Sequence, residues 1–566
     1  MILCDQSVID GYTKEGVWGQ ATLDALFRKN VRSHRDQIAL VDPPDREGFT
    51  CGAQRRLTYG EADKIIGDLT TVFGCLKLDR DDVVAVQLAN TVELPLLILA
   101  CIRAGLIISI LPPLWRQHEL ERALNKISPK VLITQHVSGD VDFPNLIRET
   151  AANVFSVRHI LCFGDNVPDG IVAIDKAIGF ARENAETGLE TADAAGRIGA
   201  NDVAIISWNG AESPDLKPLP RSHNHLISAG LTVLLEASLE NQSSILCPFC
   251  LSSLAALAGF FVPWILTGGT LHIHQPFDWD SLKQQITNEQ PAFTGLPIAA
   301  VAKLCKDVND GEIELSSLKS LACLWPTLGP SHSGGDIDTH VLPPIIDIFS
   351  IGELAIYSHR RTDSPTINLI PHGECKFPSF SDGAPALMST RLKGCAMKNG
   401  DAGTMLVGQL MIKGPMIYDG CFQPGILGAG EFEPLETDNQ GFIASGIKCE
   451  IVDENGPKLK PVDRLNNIIY HGGLAVAPAD LDVIFSEFPG VERAVAVSIP
   501  DPVLGERISA AIVPGGQSDF SYDDFKSFLK TRQLAPYKIP DRVIEVTEIL
   551  VDEEGVVVRQ PIETQV

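Results

Sequence analysis

Basic residues are in short supply. Lys and Arg together number 46 against 72 Asp and Glu, which leaves a formal net charge of −26. Phosphates are repelled over most of such a surface, which excludes a broad nucleic-acid or anionic-membrane face and leaves room only for a local basic pocket. The opening residues Met1-Ile2-Leu3-Cys4-Asp5 lack the basic start and apolar core of a secretion signal. Clean apolar runs of spanning length are also missing. Leu94 to Leu111 carries only Arg103 as a charge and Leu251 to Gly269 carries none, but both are broken by Gly, Ser or Pro. They read as buried helices of a large α/β core, not as membrane spans.

Metal-site spacing is absent as well. Thirteen cysteines are scattered along the chain, and the odd number fits a reducing, cytoplasmic setting. Cys247-Pro248-Phe249-Cys250 is a C-x-x-C, readable as a redox pair or as small thiols buried at the end of the apolar run Ser244-Ile245-Leu246. No second C-x-x-C or histidine cluster completes a zinc site.

What is present is a soluble-type composition, with 45% hydrophobic and 21% charged residues over 566 positions. That length exceeds one hydrophobic core and predicts a large body with a smaller domain. Val83–Leu88 reads as a buried strand, Glu93–Ala104 as a helix, Leu106–Leu111 as a strand, Glu119–Ile127 as a helix and Lys130–Thr134 as a strand. This βαβ rhythm predicts a mainly parallel sheet, and it recurs at Val203–Ser207, Ser244–Cys247 and Gly269–His274. Pro378–Asp401 is polar without a clear period and predicts loops around short strands, and Gly408–Pro415 predicts a short strand ending in a turn. Asp453–Asp463 predicts a turn leading into a linker. Beyond it, helices at Asp480–Glu487 and Tyr522–Gln533, the latter capped by Ser521, alternate with strands at Ala494–Ile499, Ala510–Val513 and Val543–Val546.

In this last unit, Ile469-Tyr470-His471-Gly472-Gly473 followed by Pro478-Ala479-Asp480-Leu481-Asp482 resembles a motif of adenylate-forming enzymes. Pro489 to Val497, Ile499-Pro500-Asp501, Leu504-Gly505-Glu506-Arg507 and Tyr537-Lys538-Ile539-Pro540 resemble the same family's later motifs, in the same order. Leu57-Thr58-Tyr59-Gly60-Glu61, Gly408 to Pro415 and Asp438-Asn439-Gln440-Gly441-Phe442 extend the resemblance over nearly the whole chain. The chain is thus similar to AMP-forming acyl-CoA synthetases, with ligases of medium-chain or cyclic carboxylic acids as the branch it looks most like. The resemblance implies an α/β fold: a large multi-sheet N-terminal adenylating domain, residues 1–464, and a small mobile α+β C-terminal domain, residues 465–566. It also implies ATP/AMP, Mg2+ and coenzyme A as cofactors.

By resemblance, the phosphate loop is Trp208 to His223. Gly210, Glu212, Ser213, Lys217, Ser222 and His223 match, whereas Trp208, Asn209 and Ala211 replace hydroxyl residues, and Pro214, Pro218 and Pro220 remove N–H donors. Phe349-Ser350-Ile351-Gly352-Glu353 matches the run that stacks adenine and holds magnesium, with Phe349 for the ring and Glu353 for the metal. Ile447 stands where an aspartate grips the ribose, beside Arg464, a retained ribose contact. Val556 takes the place of the catalytic lysine, leaving Lys217 and Glu353 as catalytic candidates and Arg559 as the nearest cation. Cys250, with Leu251 and Phe260, falls where the acyl pocket is expected.

Loss of several preorganised donors that act as a unit predicts adenylation slowed by roughly ten-thousandfold or more. The substitutions Ala211→Thr, Ile447→Asp and Val556→Lys are the minimal repair this reading suggests. Three descriptions of the chemistry stay open. One is a ligase-like pseudoenzyme that binds a carboxylic acid, its acyl adenylate or its acyl-CoA. Another is an active medium-chain or cyclic acid–CoA ligase of fatty acid metabolism with atypical nucleotide contacts. The third takes an adenylate made elsewhere, with a partner enzyme or carrier protein. Homodimerisation is left open; nucleic-acid partners are not expected.

Overall fold

The computed structural model describes residues 1–50, 52–164, 167–184, 198–209, 216–325, 339–361, 369–375, 385–400, 403–423, 431–453, 457–464, 468–471, 474–501, 505–515, 520–551 and 557–559. Among them, three large sheets build the large N-terminal domain. A seven-stranded sheet runs in the order Pro218–Ser222, Val203–Trp208, Ile107–Ile110, Val83–Gln87, Val131–Gln135, His159–Phe163, Val172–Ala173. Its strands are parallel except for the antiparallel edge strand Pro218–Ser222. An eight-stranded sheet places Ile245–Cys247 and Phe293–Pro297 at its centre and ends on the antiparallel pair Ile345–Ile351 and Ala355–Arg360.

The two apolar runs are buried helices. Glu93–Ala104 has every residue from Glu93 to Ile102 buried, and its lone basic group, Arg103, pairs with Asp24 at 2.9 Å and Asp63 at 2.7 Å. The second run forms one continuous helical rod, Leu254–Ala256, a π-helical turn Leu257–Phe261, and Val262–Thr267. No helix among the described residues is long and apolar enough to cross a membrane. The rod crosses helix His223–Glu236 so closely that a Cβ on Gly230 would lie 2.4 Å from Cγ1 of Val262. Val262 is β-branched and stiff, so Gly230→Ala is expected to cost about 1–3 kcal/mol by overpacking. Adding Val262→Ala should recover part of the loss in a thermal melt.

The third sheet corrects two expectations. Met388–Gly400 is one long strand paired antiparallel with Gly403–Lys413, not loops around short strands. Its outer half, Lys393 to Met397, is exposed, so the ladder continues without apolar alternation, and Gly394 at φ 66° sits in a bulge that shifts the register. Gly408–Lys413 accordingly is the end of the longer strand Gly403–Lys413, with Gly414-Pro415 leading into the expected turn. Pro457–Arg464 is likewise a strand, antiparallel to Ile443–Asp453, where a linker was expected. Leu459 turns into the core there, the one buried side chain among residues 458–462, too thin a period-2 signal to stand out between two lysines.

A smaller C-terminal domain is built on the sheet Leu474–Val476, Ile469–His471, Gly505–Pro514, Val491–Asp501, with Arg542–Glu545 parallel to Gly505–Pro514. Helices Pro478–Ser486 and Tyr522–Thr531 cover it, burying Leu481, Phe485, Phe525 and Leu529, and the Ser521 hydroxyl accepts the Asp524 N–H as a cap. This domain docks on helix Gln117–Ile127 of the large one. Glu119 accepts the Ala535 N–H at 3.4 Å and lies 3.0 Å from Lys538 Nζ, and Arg122 donates to Asp480 at 2.9 Å. Tyr537 packs against the buried cluster that contains Trp115 and Trp208.

Candidate functional site

The phosphate-loop segment sits in a hairpin. Trp208 pairs with Pro218 and Ile206 with Pro220, so both prolines lie on the edge strand at alternate positions, where a missing N–H costs no ladder bond. They form the strand instead of stiffening the loop, which corrects the reading for these two prolines, while Pro214 lies outside the described residues. Asn209 closes the neck: its N–H donates to the Lys217 carbonyl at 3.1 Å, and its Oδ1 accepts the Lys217 N–H at 2.5 Å. Lys217 is half-buried at this neck. Gly210, Ala211, Glu212 and Ser213 lie outside the described residues. Trp208 donates to Ser109 Oγ at 3.1 Å and meets Trp115 edge-on at 5.6 Å, so it belongs to the core below the loop.

Glu353 lies in the tight turn joining Ile345–Ile351 to Ala355–Arg360. Gly352 adopts φ 53° there, which explains a glycine where the resemblance expects threonine. The Glu353 carboxylate accepts the Leu254 N–H, at 3.0 Å to Oε2, at the start of the apolar rod. Its carbonyl accepts a hydrogen bond from Arg221. Phe349 is 4% exposed in a row of rings, with Trp325 at 5.9 Å on one side and Tyr357 at 6.1 Å on the other.

Ile447 is also 4% exposed and belongs to the same buried apolar cluster as Leu410, Cys449 and Leu459. It pairs in register with Arg464, and its N–H donates to Ser445 Oγ at 3.3 Å. Val556 lies outside the described residues. Arg559 is spent inside the C-terminal domain: it pairs with Asp482, and its Nε donates to the Ala496 carbonyl at 2.9 Å. It is therefore tied down away from the lysine's role.

Cys250 is half-buried, with Ser252 Oγ donating to its sulfur at 3.3 Å. Leu251 and Phe260 are buried, and Phe260 lies 5.5 Å from both Phe249 and Phe293. Burial pushes the Cys247 thiol up to about 12 and raises that of Cys250, opposite to the lowered thiol of a redox pair.

Sequence reasoning missed Arg221. It is fully buried on the edge strand, between Pro220 and Ser222, and its neighbour His225 accepts the Ser222 N–H at 3.2 Å and faces Asp419 at 3.6 Å. An arginine within a buried strand was the available signal. Burial pushes His225 down to about 3, with Arg221 as the second cause, and burial pushes His223 to about 4. Both folded values lie below the ordinary 6.5, so the unfolded chain takes up protons first. Stability is therefore full above about pH 6.5 and falls as the pH drops toward 4 and 3, by about 2 kcal/mol per histidine at pH 5. Asp419, raised by burial, works in the opposite sense lower in this window. Unfolding midpoints measured from pH 7.5 down to 5 check this, and a flat profile would contradict it.

Residues 27–337 match the AMP-binding enzyme family, and residues 480–554 match the AMP-binding enzyme C-terminal domain. A probable CoA ligase of Humulus lupulus is 23% identical over 560 residues, spanning 95% of this chain and 92% of that protein. The salicyl-AMP ligase / salicyl-S-ArCP synthetase of Mycobacterium tuberculosis is 23% identical over 546 residues, 94% of this chain and 88% of that protein. The amide bond synthetase McbA of Marinactinospora thermotolerans shares the fold, with a TM-score of 0.71 at 18% identity over 96% of this chain and 99% of that one. The chain belongs to the AMP-binding enzyme family, the adenylate-forming enzymes whose motifs its sequence resembles.

Proposed function

We propose that the protein binds a small carboxylic acid, or its acyl adenylate or acyl-CoA, and that its ATP-dependent adenylation is impaired or lost. The observation that carries this reading is Ile447: the position of the ribose acceptor holds a buried apolar side chain. Ribose hydroxyls left unmatched in a closed site cost roughly 1–3 kcal/mol each. The flanked ring of Phe349 and the engaged guanidinium of Arg559 support the same conclusion, so the described residues do not fit a bound ATP. Among the described residues no three His, Cys, Asp or Glu side chains converge on a metal position. Mg2+ would rest on Glu353 and on oxygens brought by its ligand.

In this reading Lys217 and Glu353 face the anionic end of the ligand, and Cys250, Leu251 and Phe260 border the acyl part. Gly210, Glu212, Ser213, Phe349 and Arg464 are the remaining nucleotide-side candidates. Residues 1–464 and 465–566 are the two working units. Relatives named as a CoA ligase and as a salicyl-S-ArCP synthetase support coenzyme A or a carrier protein as the thiol partner. A second reading, an active medium-chain or cyclic acid–CoA ligase, is favoured by the retention of Lys217 and Glu353. Pyrophosphate release with short, medium, cyclic and aromatic acids separates the two: no release above background is expected, and turnover with any of them would establish the second reading.

A further inference from the structure

Arg221 joins three segments that meet at the candidate site. It lies on the strand leaving the loop, and its Nε donates to Ser207 Oγ on the strand entering it, at 3.1 Å. Its Nη1 donates to the Met416 carbonyl at 3.3 Å, and its Nη2 donates to the Glu353 carbonyl. The guanidinium lies 5.3 Å from the centre of the Tyr418 ring. Glu353 is thereby gripped at both ends, by Arg221 on its carbonyl and by the Leu254 N–H on its carboxylate.

We propose that Arg221 is the positioning residue of this site, holding the turn that presents Glu353 and the turn around Met416 in register with the hairpin that carries Lys217. The inference rests on reading Lys217 and Glu353 as the ligand-facing pair. A planar guanidinium offers five donors in a fixed fork, so one side chain satisfies acceptors on three separate segments at once. An apolar residue on this strand would fill the space and leave the Ser207, Met416 and Glu353 oxygens without that donor in a dry interior. A lysine keeps the charge and part of the donor set.

The test is amide hydrogen exchange of the full chain as Arg221→Lys and Arg221→Met. The reporters are the Leu354 N–H, bonded to the Ile351 carbonyl at 3.1 Å, and the Ile417 N–H, bonded to the Gly414 carbonyl at 3.3 Å. Arg221→Met is expected to speed exchange at both by roughly tenfold or more, with less than about a twofold change in the C-terminal domain. Arg221→Lys is expected to lie between wild type and Arg221→Met. A role in packing alone reverses that order, because methionine fills the space better than a hydrated ammonium, and this reversal would overturn the proposal. Unchanged exchange at both reporters in Arg221→Lys would overturn it too, and decides the matter should Arg221→Met fail to fold. A parallel titration of wild type with Mn2+ in place of Mg2+ tests Glu353 separately. Absence of Mn2+ binding would count against the ligand-facing reading of Glu353 and leave the exchange result on Arg221 standing.

Discussion

Ile447→Asp, the change that would restore a ribose acceptor, is expected to destabilise the large domain by about 3–5 kcal/mol and to bring no gain in ATP affinity. The side chain at 447 is 4% exposed within the main apolar cluster. A carboxylate there must either ionise in a dry interior or stay protonated, and neither form serves a ribose. The repair suggested by the sequence therefore conflicts with the packing, and the combined variant with Ala211→Thr and Val556→Lys inherits the same cost. Differential scanning fluorimetry of Ile447→Asp and Ile447→Asn measures it. An unshifted melt with tighter ATP binding would show that the position opens to the ligand after all.

Glu119→Ala is expected to undock the C-terminal domain. Glu119 is a nearly buried carboxylate whose Oε2 caps its own helix through the Arg116 N–H at 3.1 Å, while Oε1 reaches Lys538 and the Ala535 N–H. The Lys538 and Glu119 side chains are 11% and 4% exposed, so little solvent screening weakens the pair. Removing one partner of such a pair leaves the other charge buried and costs about 3–5 kcal/mol, a shift of the docking equilibrium by roughly a hundred- to several-thousandfold. The half-exposed pair Arg122–Asp480 contributes little in compensation, about 1 kcal/mol or less. Small-angle scattering should show a larger radius of gyration, and the Ala535 N–H should lose exchange protection while Ile512 keeps its own. An unchanged radius would show that the seat of Tyr537 against the cluster around Trp115 suffices.

The sequence carried the parts of the fold that repeat a strong local period. Helix Glu93–Ala104, the parallel strands around it and the Ser521 cap all appear where their patterns place them. The strand Met388–Gly400 was hidden because its stretch Lys393–Met397 faces water, and Pro457–Arg464 because its buried Leu459 stands between two lysines. Motif order located Glu353, Lys217 and Ile447 but said nothing of their surroundings. That Phe349 is flanked by rings depends on Trp325 and Tyr357 from neighbouring strands. That Glu353 is held at both ends depends on Arg221 and Leu254, separated from it by 132 and 99 residues. Contacts at such separations leave no local pattern to read.

Impaired adenylation on an intact family fold requires a nucleotide side that has lost its grip. Calorimetric titration of the intact protein with ATP, with and without Mg2+, tests it most directly. A dissociation constant of roughly millimolar or weaker is expected in both conditions. A micromolar constant that requires Mg2+ would contradict it, and would mean that Lys217 and Glu353 hold the nucleotide despite Ile447.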